Sequence, residues 1–128
     1  MSNEAAVVRR FWELMEARDW PAARALLHPS FIADWPQANE RFRGADSFMA
    51  MNKAHPAPNW HIVSLSVQAA EHEIVAEVLV TNDEGADLAI GFYEVQGGVL
   101  THAREYWVPR RTEPTPAWRA AWTEMIDP

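Results

Sequence analysis

The chain has 128 residues, 48% apolar and 23% charged, and a formal charge of −7. Its length marks one domain, residues 1–128, that can bury roughly two-thirds of the surface its unfolded form exposes, and the composition excludes a disordered polymer. The acidic balance argues against nucleic acid and anionic membrane as partners, and zero cysteines exclude a disulfide framework and fit a reducing, cytoplasmic setting.

Charges interrupt the apolar pattern of the start, MSNEAAVVRRFWELMEARDW, so it reads as neither a signal peptide nor a membrane span. Val7, Val8, Phe11, Leu14, Met15 and Arg18 trace the spacing of an amphipathic helix. Asp19 caps a second, short helix with Pro21 in its first turn, and Ala22, Ala23, Leu26 and Leu27 form its buried side. His28-Pro29 ends that helix, because proline disfavours helical geometry in the residue before it. Phe31 to Trp35 reads as a short strand closed by Pro36, and Gln37 to Gly44 as a loop. Ala45 to Ala54 makes a third helix with Phe48, Met49 and Met51 as its apolar residues, stopped by His55-Pro-Ala-Pro58.

The period then changes. Trp60–Ala69, Glu73–Thr81, Leu88–Val95 and Val99–Val108 are strand-like runs. Glu71-His72, Asn82-Asp-Glu-Gly85 and Gln96-Gly-Gly98 separate them as short turns, the pattern of an antiparallel meander. A last short helix is predicted over Pro116 to Trp122, with Trp118 and Trp122 on one face. Three helices followed by a strongly curved antiparallel sheet make an α+β domain, in which a bent sheet under helices encloses a cone. Seven tryptophans exceed what a core of this size needs, and several of them are candidates to line a cavity.

Three segments, FWELMEARDWPAARALLHPSFIADWP, FRGADSFMAMN and GFYEVQGGVLTHAREYW, resemble in this order the NTF2-like superfamily, and more narrowly its SnoaL-like branch. With the four-strand spacing that joins them, the likeness runs from Val7 to Trp107. It implies a cone-shaped fold. Members include polyketide cyclases, ketosteroid isomerases, limonene-type epoxide hydrolases, dehydratases and non-catalytic interaction domains, so fold alone does not decide function.

The tyrosine and two aspartates expected of a ketosteroid isomerase fall on Phe11, Trp35 and Gly91, with Asp34 one residue from the second. The paired carboxylates of the epoxide hydrolases fall on Glu77 and Glu105, and the arginine between them on Val75. Cyclase relatives use one acid near this point of the last strand, a place that Glu105 fills. In THAREYWVPR, strand alternation sets Thr101, Ala103, Glu105 and Trp107 on one face, so Glu105 would look into the cavity, where burial raises a carboxyl pKa.

Trp35, Tyr93 and Trp107 share this inward face with Gly91 and Glu105 as pocket-wall candidates, and Trp12 closes the cone from above. Trp118 and Trp122 are expected to seal the pocket mouth or an interface. Ile74, Val78, Val80, Leu88, Ile90 and Phe92 are placed on the opposite face, which relatives use for a homodimer. His61, His72 and His102 lack the spacing of a metal set, and the glycines at 97 and 98 make a turn rather than a phosphate cradle. The expectation is a cofactor-free enzyme acting on a small apolar molecule, cyclase- or isomerase-like or epoxide-hydrolase-like, with Glu105 as acid/base and Glu77 assisting. The alternative is a non-catalytic ligand-binding or dimerisation module.

Overall fold

The computed structural model describes residues 3–57, 59–110 and 112–126; Pro58, read above as part of a helix stop, lies outside them. Helix α1 (Asn3–Glu16) buries Ala5, Val8, Phe11, Trp12, Leu14 and Met15. It ends in a paired closure in which Asp19 N–H donates to Leu14 O and Arg18 N–H to Met15 O. Arg18 takes the left-handed position that glycine usually fills, with φ 59°. Its guanidinium bonds the Glu16 carbonyl at 3.0 Å and the Trp60 carbonyl, and stacks 3.4 Å from the Trp60 ring centroid. Helix α2 (Trp20–Ala25) starts at Asp19, whose carboxylate accepts from Ala22 N–H at 3.2 Å.

Strand β1 (Leu27–Trp35) begins earlier than predicted: Leu27 and His28-Pro29 belong to it rather than to the helix. The predicted loop is also partly structured, with a 3-10 turn at Pro36–Ala38 and strand β2 (Glu40–Arg43) paired antiparallel to β1. Helix α3 (Ala45–Lys53) follows Gly44, and then come β3 (His61–Ala69), β4 (Ile74–Asn82), β5 (Gly85–Gln96) and β6 (Val99–Pro109). Tight turns join the last strands: Asn82 pairs with Gly85, and Gln96 with Val99 across Gly97 and Gly98 at φ 61° and 82°.

The six strands run in the order β2-β1-β6-β5-β4-β3. The meander β3 to β6 is antiparallel, whereas β1 joins β6 in parallel, so the sheet is mixed. Helix α1 packs on β3, β4, β5 and β6, and α3 on β1, which places the core on the concave side of a curved, unclosed sheet. No helix among the described residues is long and apolar enough to cross a membrane.

Two expectations about faces are corrected here. Ile74, Val78 and Val80 are buried on the inward face of β4, while Leu88, Ile90 and Phe92 are half-buried on the outward face of β5. The predicted C-terminal helix is one 3-10 turn, Ala120–Trp122. Trp118 and Trp122 stand 73% and 81% exposed, so they do not seal a pocket mouth within the chain.

Candidate functional site

The register brings Ala76, Gly91 and Glu105 side by side on the inward face of β4, β5 and β6. Glu105 is 1% exposed, and it alone among the described polar and charged residues belongs to the buried set. Its Oε2 accepts from the Tyr93 hydroxyl at 2.5 Å and its Oε1 from the Trp35 indole N–H at 3.0 Å. Burial pushes the Glu105 pKa above the ordinary carboxylate value, and the donors Tyr93, Trp35 and Trp107 only partly oppose it. Burial, the neighbouring carboxylate and the shared bond push the Tyr93 pKa well above its ordinary value, so this hydroxyl remains a donor.

Tyr93 pairs with Ala103, one inward position along from Glu105, and reaches it only by lying across Gly91. A Cβ on residue 91 would overlap the Oη, Cε2 and Cζ of Tyr93, inside the 3.0 Å that real Cβ atoms keep. The gap left by Gly91 is therefore what lets hydroxyl and carboxyl meet.

Two further indoles crowd the pair. The Nε1 atoms of Trp12 and Trp107 are buried without a hydrogen-bond partner among the described residues. Trp107 N–H stands near enough to Glu105, and Trp12 N–H near enough to the Tyr93 oxygen, to favour their charged forms without closing a bond of normal geometry. Trp12 packs edge to face on Trp107 at 6.5 Å, and Trp35 lies tilted against Trp107 at 6.1 Å between centroids. Gln37 fixes Trp107 from outside, accepting from its backbone N–H at 2.8 Å and donating to its carbonyl at 2.7 Å.

Above these rings opens a cavity of about 540 Å³, within the size range of small-molecule sites. Trp12, Trp35, Trp60, Trp107, Met15 and Met51 supply its apolar wall. Asn52, His55, Asn82 and Asp87 add polar groups. Glu105 is not itself a wall: Trp12, Trp35 and Trp107 are shared between the cavity and the buried carboxyl cluster. Trp12, Trp35 and Trp107 thus lie on the cavity, and Gly91 and Tyr93 belong to the polar cluster beneath it.

Glu77 does not join them. It pairs with Ser66 and Ile90 on the outward face of β4 and is exposed, because Ala76 and Val78 take the inward positions on either side. The predicted partnership of Glu77 with Glu105 therefore does not form within the chain, the two carboxylates lying on opposite faces of the sheet. Asp34 is also on the outer side, held by Arg41 at 2.6 Å and His102 at 3.1 Å, which lower its pKa with the Arg41 bond as the main cause. Sequence reasoning missed Asp87, although strand parity with Ala89, Gly91 and Tyr93 marks it as inward. No group of three His, Asp or Glu side chains among the described residues is placed to hold a metal ion.

A six-stranded curved sheet, with helices across its concave side and an aromatic cavity between them, defines an α+β cone. The SnoaL-like domain family matches residues 8–103, and the chain belongs to it. None of the curated proteins matches the chain. A proposed ketosteroid isomerase from Kribbella flavida DSM 17836 is similar at 23% identity and a TM-score of 0.85, over 98% of this chain and 91% of the other. An LEH-like epoxide hydrolase from M. tuberculosis is similar at 15% identity and a TM-score of 0.67, over 82% of each chain. A proposed polyketide cyclase from Xanthomonas campestris pv. campestris reaches 21% identity and a TM-score of 0.67, over 82% of this chain and 92% of the other. At these identities the likeness is one of fold.

Proposed function

We propose that the chain is a cofactor-free enzyme that takes a small, mostly apolar molecule into the cone and uses Glu105 as general acid/base. The observation that carries this reading is the pair of orphaned indole N–H groups, on Trp12 and Trp107, beside a buried carboxyl of raised pKa. An unpaired buried donor costs about 1–3 kcal/mol, so one beside Glu105 and one beside its Tyr93 partner are costly unless a ligand answers them. A carbonyl, hydroxyl or epoxide oxygen seated there would take both N–H donors and stand beside Glu105, with charge developing on it stabilised in a dry site. The raised pKa suits Glu105 to give up and recover a proton nearer neutral pH than an exposed glutamate.

Lyase or isomerase chemistry of the cyclase kind needs only this one shuttle; epoxide hydrolysis needs a second carboxylate, which Glu77 does not provide from the outer face. The substrate reaches Glu105 by displacing the half-buried Trp35 ring, whose indole N–H occupies Glu105 Oε1. The working form we propose is a cytoplasmic homodimer joined through the convex face, where Leu88, Ile90, Phe92, Tyr106 and Val108 lie together.

The alternative, a non-catalytic ligand-binding or dimerisation module, draws on a different observation: both Glu105 oxygens already have partners inside the fold. A thermal-shift screen with terpene epoxides, cyclic enones, steroids and aromatic polyketide mimics separates the two, run on wild type and Glu105→Gln together. A ligand at a hundred times its dissociation constant adds about 2.7 kcal/mol of stability. Turnover of a stabilising ligand that Glu105→Gln abolishes supports the enzyme. Ligands that bind both proteins and are never turned over leave the binding module.

A further inference from the structure

The mouth of the cavity holds a charge that the proposed acid/base chemistry does not use. Asp87, at the start of β5, is half-buried and lines the cavity with Val80 and Pro109, its register neighbours. Its side chain has no hydrogen bond or ion pair among the described residues. The other partly buried carboxylates differ: Glu16 holds His61 and the Ile62 N–H, Asp34 holds Arg41 and His102, and Glu73 holds Arg104. Asp87 thus offers the cavity a half-buried carboxylate with no counter-charge among the described residues, and the electrostatic complement to it is a cation.

The rest of the wall agrees. None of the lining residues is Lys or Arg, and four of them are tryptophans, whose ring faces attract cations. Trp60 already carries one: the Arg18 guanidinium stacks on it, and that charge is taken up by the carbonyls of Met15, Glu16 and Trp60. His55 is tied back to its own loop, its Nδ1 accepting the Ala57 backbone N–H at 3.1 Å.

We infer that the ligand of this cavity is an organic cation, an apolar skeleton bearing one amine or quaternary ammonium group that pairs with Asp87 against the tryptophan wall. The inference rests on the reading of the cone as a small-molecule site and narrows its substrate class. The hydrocarbon part fills the space among Met15, Met51 and the indoles, while the ammonium sits at the Asp87 end.

Three ligands of one shape test it: 3-phenylpropyltrimethylammonium, its neutral isostere with a tert-butyl group in place of trimethylammonium, and 3-phenylpropanesulfonate. Affinities are read from tryptophan fluorescence on the full chain, for wild type, Asp87→Asn and Asp87→Lys. Wild type is expected to bind the ammonium at least about tenfold more tightly than the isostere, and the sulfonate most weakly. Asp87→Asn should erase the preference while the isostere's affinity stays, and Asp87→Lys should reverse the order of the two ions. Because Asp87 is half-buried and unpaired, both variants should melt near wild type without ligand, which keeps a folding defect from passing as a binding result. Equal affinity for ammonium and isostere overturns the cation while leaving the apolar pocket standing. Preference for the sulfonate overturns the cation outright, and failure of all three to bind removes both it and the small-molecule reading.

Discussion

Replacing Gly91 by alanine drives one methyl group into the hydroxyl end of the Tyr93 ring. Tyr93 is 1% exposed, so its ring can yield only by displacing the buried groups packed around it. Overpacking of this kind costs about 1–3 kcal/mol. Moving the ring also lifts its hydroxyl from Glu105, and a lost bond to a buried acid adds about 1–3 kcal/mol. The expected loss is therefore about 2–6 kcal/mol, a fall in Tm on the order of 10 °C or more for a domain of this length. Thermal melts of Gly91→Ala, Tyr93→Phe and the double variant measure it. Tyr93→Phe has already lost the hydroxyl, so Gly91→Ala in that background should cost less by the hydrogen-bond share, while the clash with the ring carbons persists. A Gly91→Ala protein that melts within about 0.5 kcal/mol of wild type would refute the reasoning, since Tyr93 would then not depend on that gap.

Glu105 gives a pH signature. Its folded pKa lies above the ordinary 4.5, so its contribution is complete below pH 4.5 and is lost as pH rises through the folded value. The Tm of Glu105→Gln relative to wild type should therefore climb above pH 4.5 and then level off. Asp34 and Glu16, with lowered pKa values, act in the opposite sense but equally in both proteins, so they cancel; a difference independent of pH would show Glu105 to be unperturbed. Trp35→Phe removes the 3.0 Å donor to Glu105, should cost about 1–3 kcal/mol, and should raise the Glu105 pKa further, moving the midpoint of that same pH difference upward. Trp118→Ala and Trp122→Ala, both at largely exposed positions, should leave the melt within about 0.5 kcal/mol at concentrations where the chain is monomeric. If these side chains cover an interface, sedimentation will instead show the variants dissociating where wild type does not.

Much of this architecture was legible in the residues. Helices α1 and α3 announced themselves through apolar spacing, and β3 to β6 through runs separated by Asn82 to Gly85 and Gly97-Gly98. Strand β2 did not, because Glu40, Arg41 and Arg43 are charged and exposed at a sheet edge, where no apolar face is required. Strand β4 misled on parity: Val75 and Leu79 are as apolar as Ile74, Val78 and Val80, so alternation could not say which row faces inward. Glu105 could be found because Ala103 and Trp107 frame it on a strand whose other face carries His102 and Arg104. Its bond to Tyr93 could not, since that contact is a diagonal across Gly91, set by ring direction rather than by register.

The parallel pairing of β1 with β6 governs the order in which the molecule can be built. Leu27 finds its partner at Leu100 and Ala33 at Ala103, so the first strand waits for nearly the whole chain to be made. Emerging from a ribosome, β1 has β2 and α3 beside it, and α1 has β3 and β4, but the other edge of β1 stays unpaired until the last hairpin arrives. Contacts so distant along the chain slow folding and prolong exposure of the early segments. The cavity suffers the same delay, for Trp35 stands at the end of β1 and Trp107 near the end of β6. A nascent chain therefore has no closed cavity until its final strand docks, so nothing that fills the cavity can guide the early assembly.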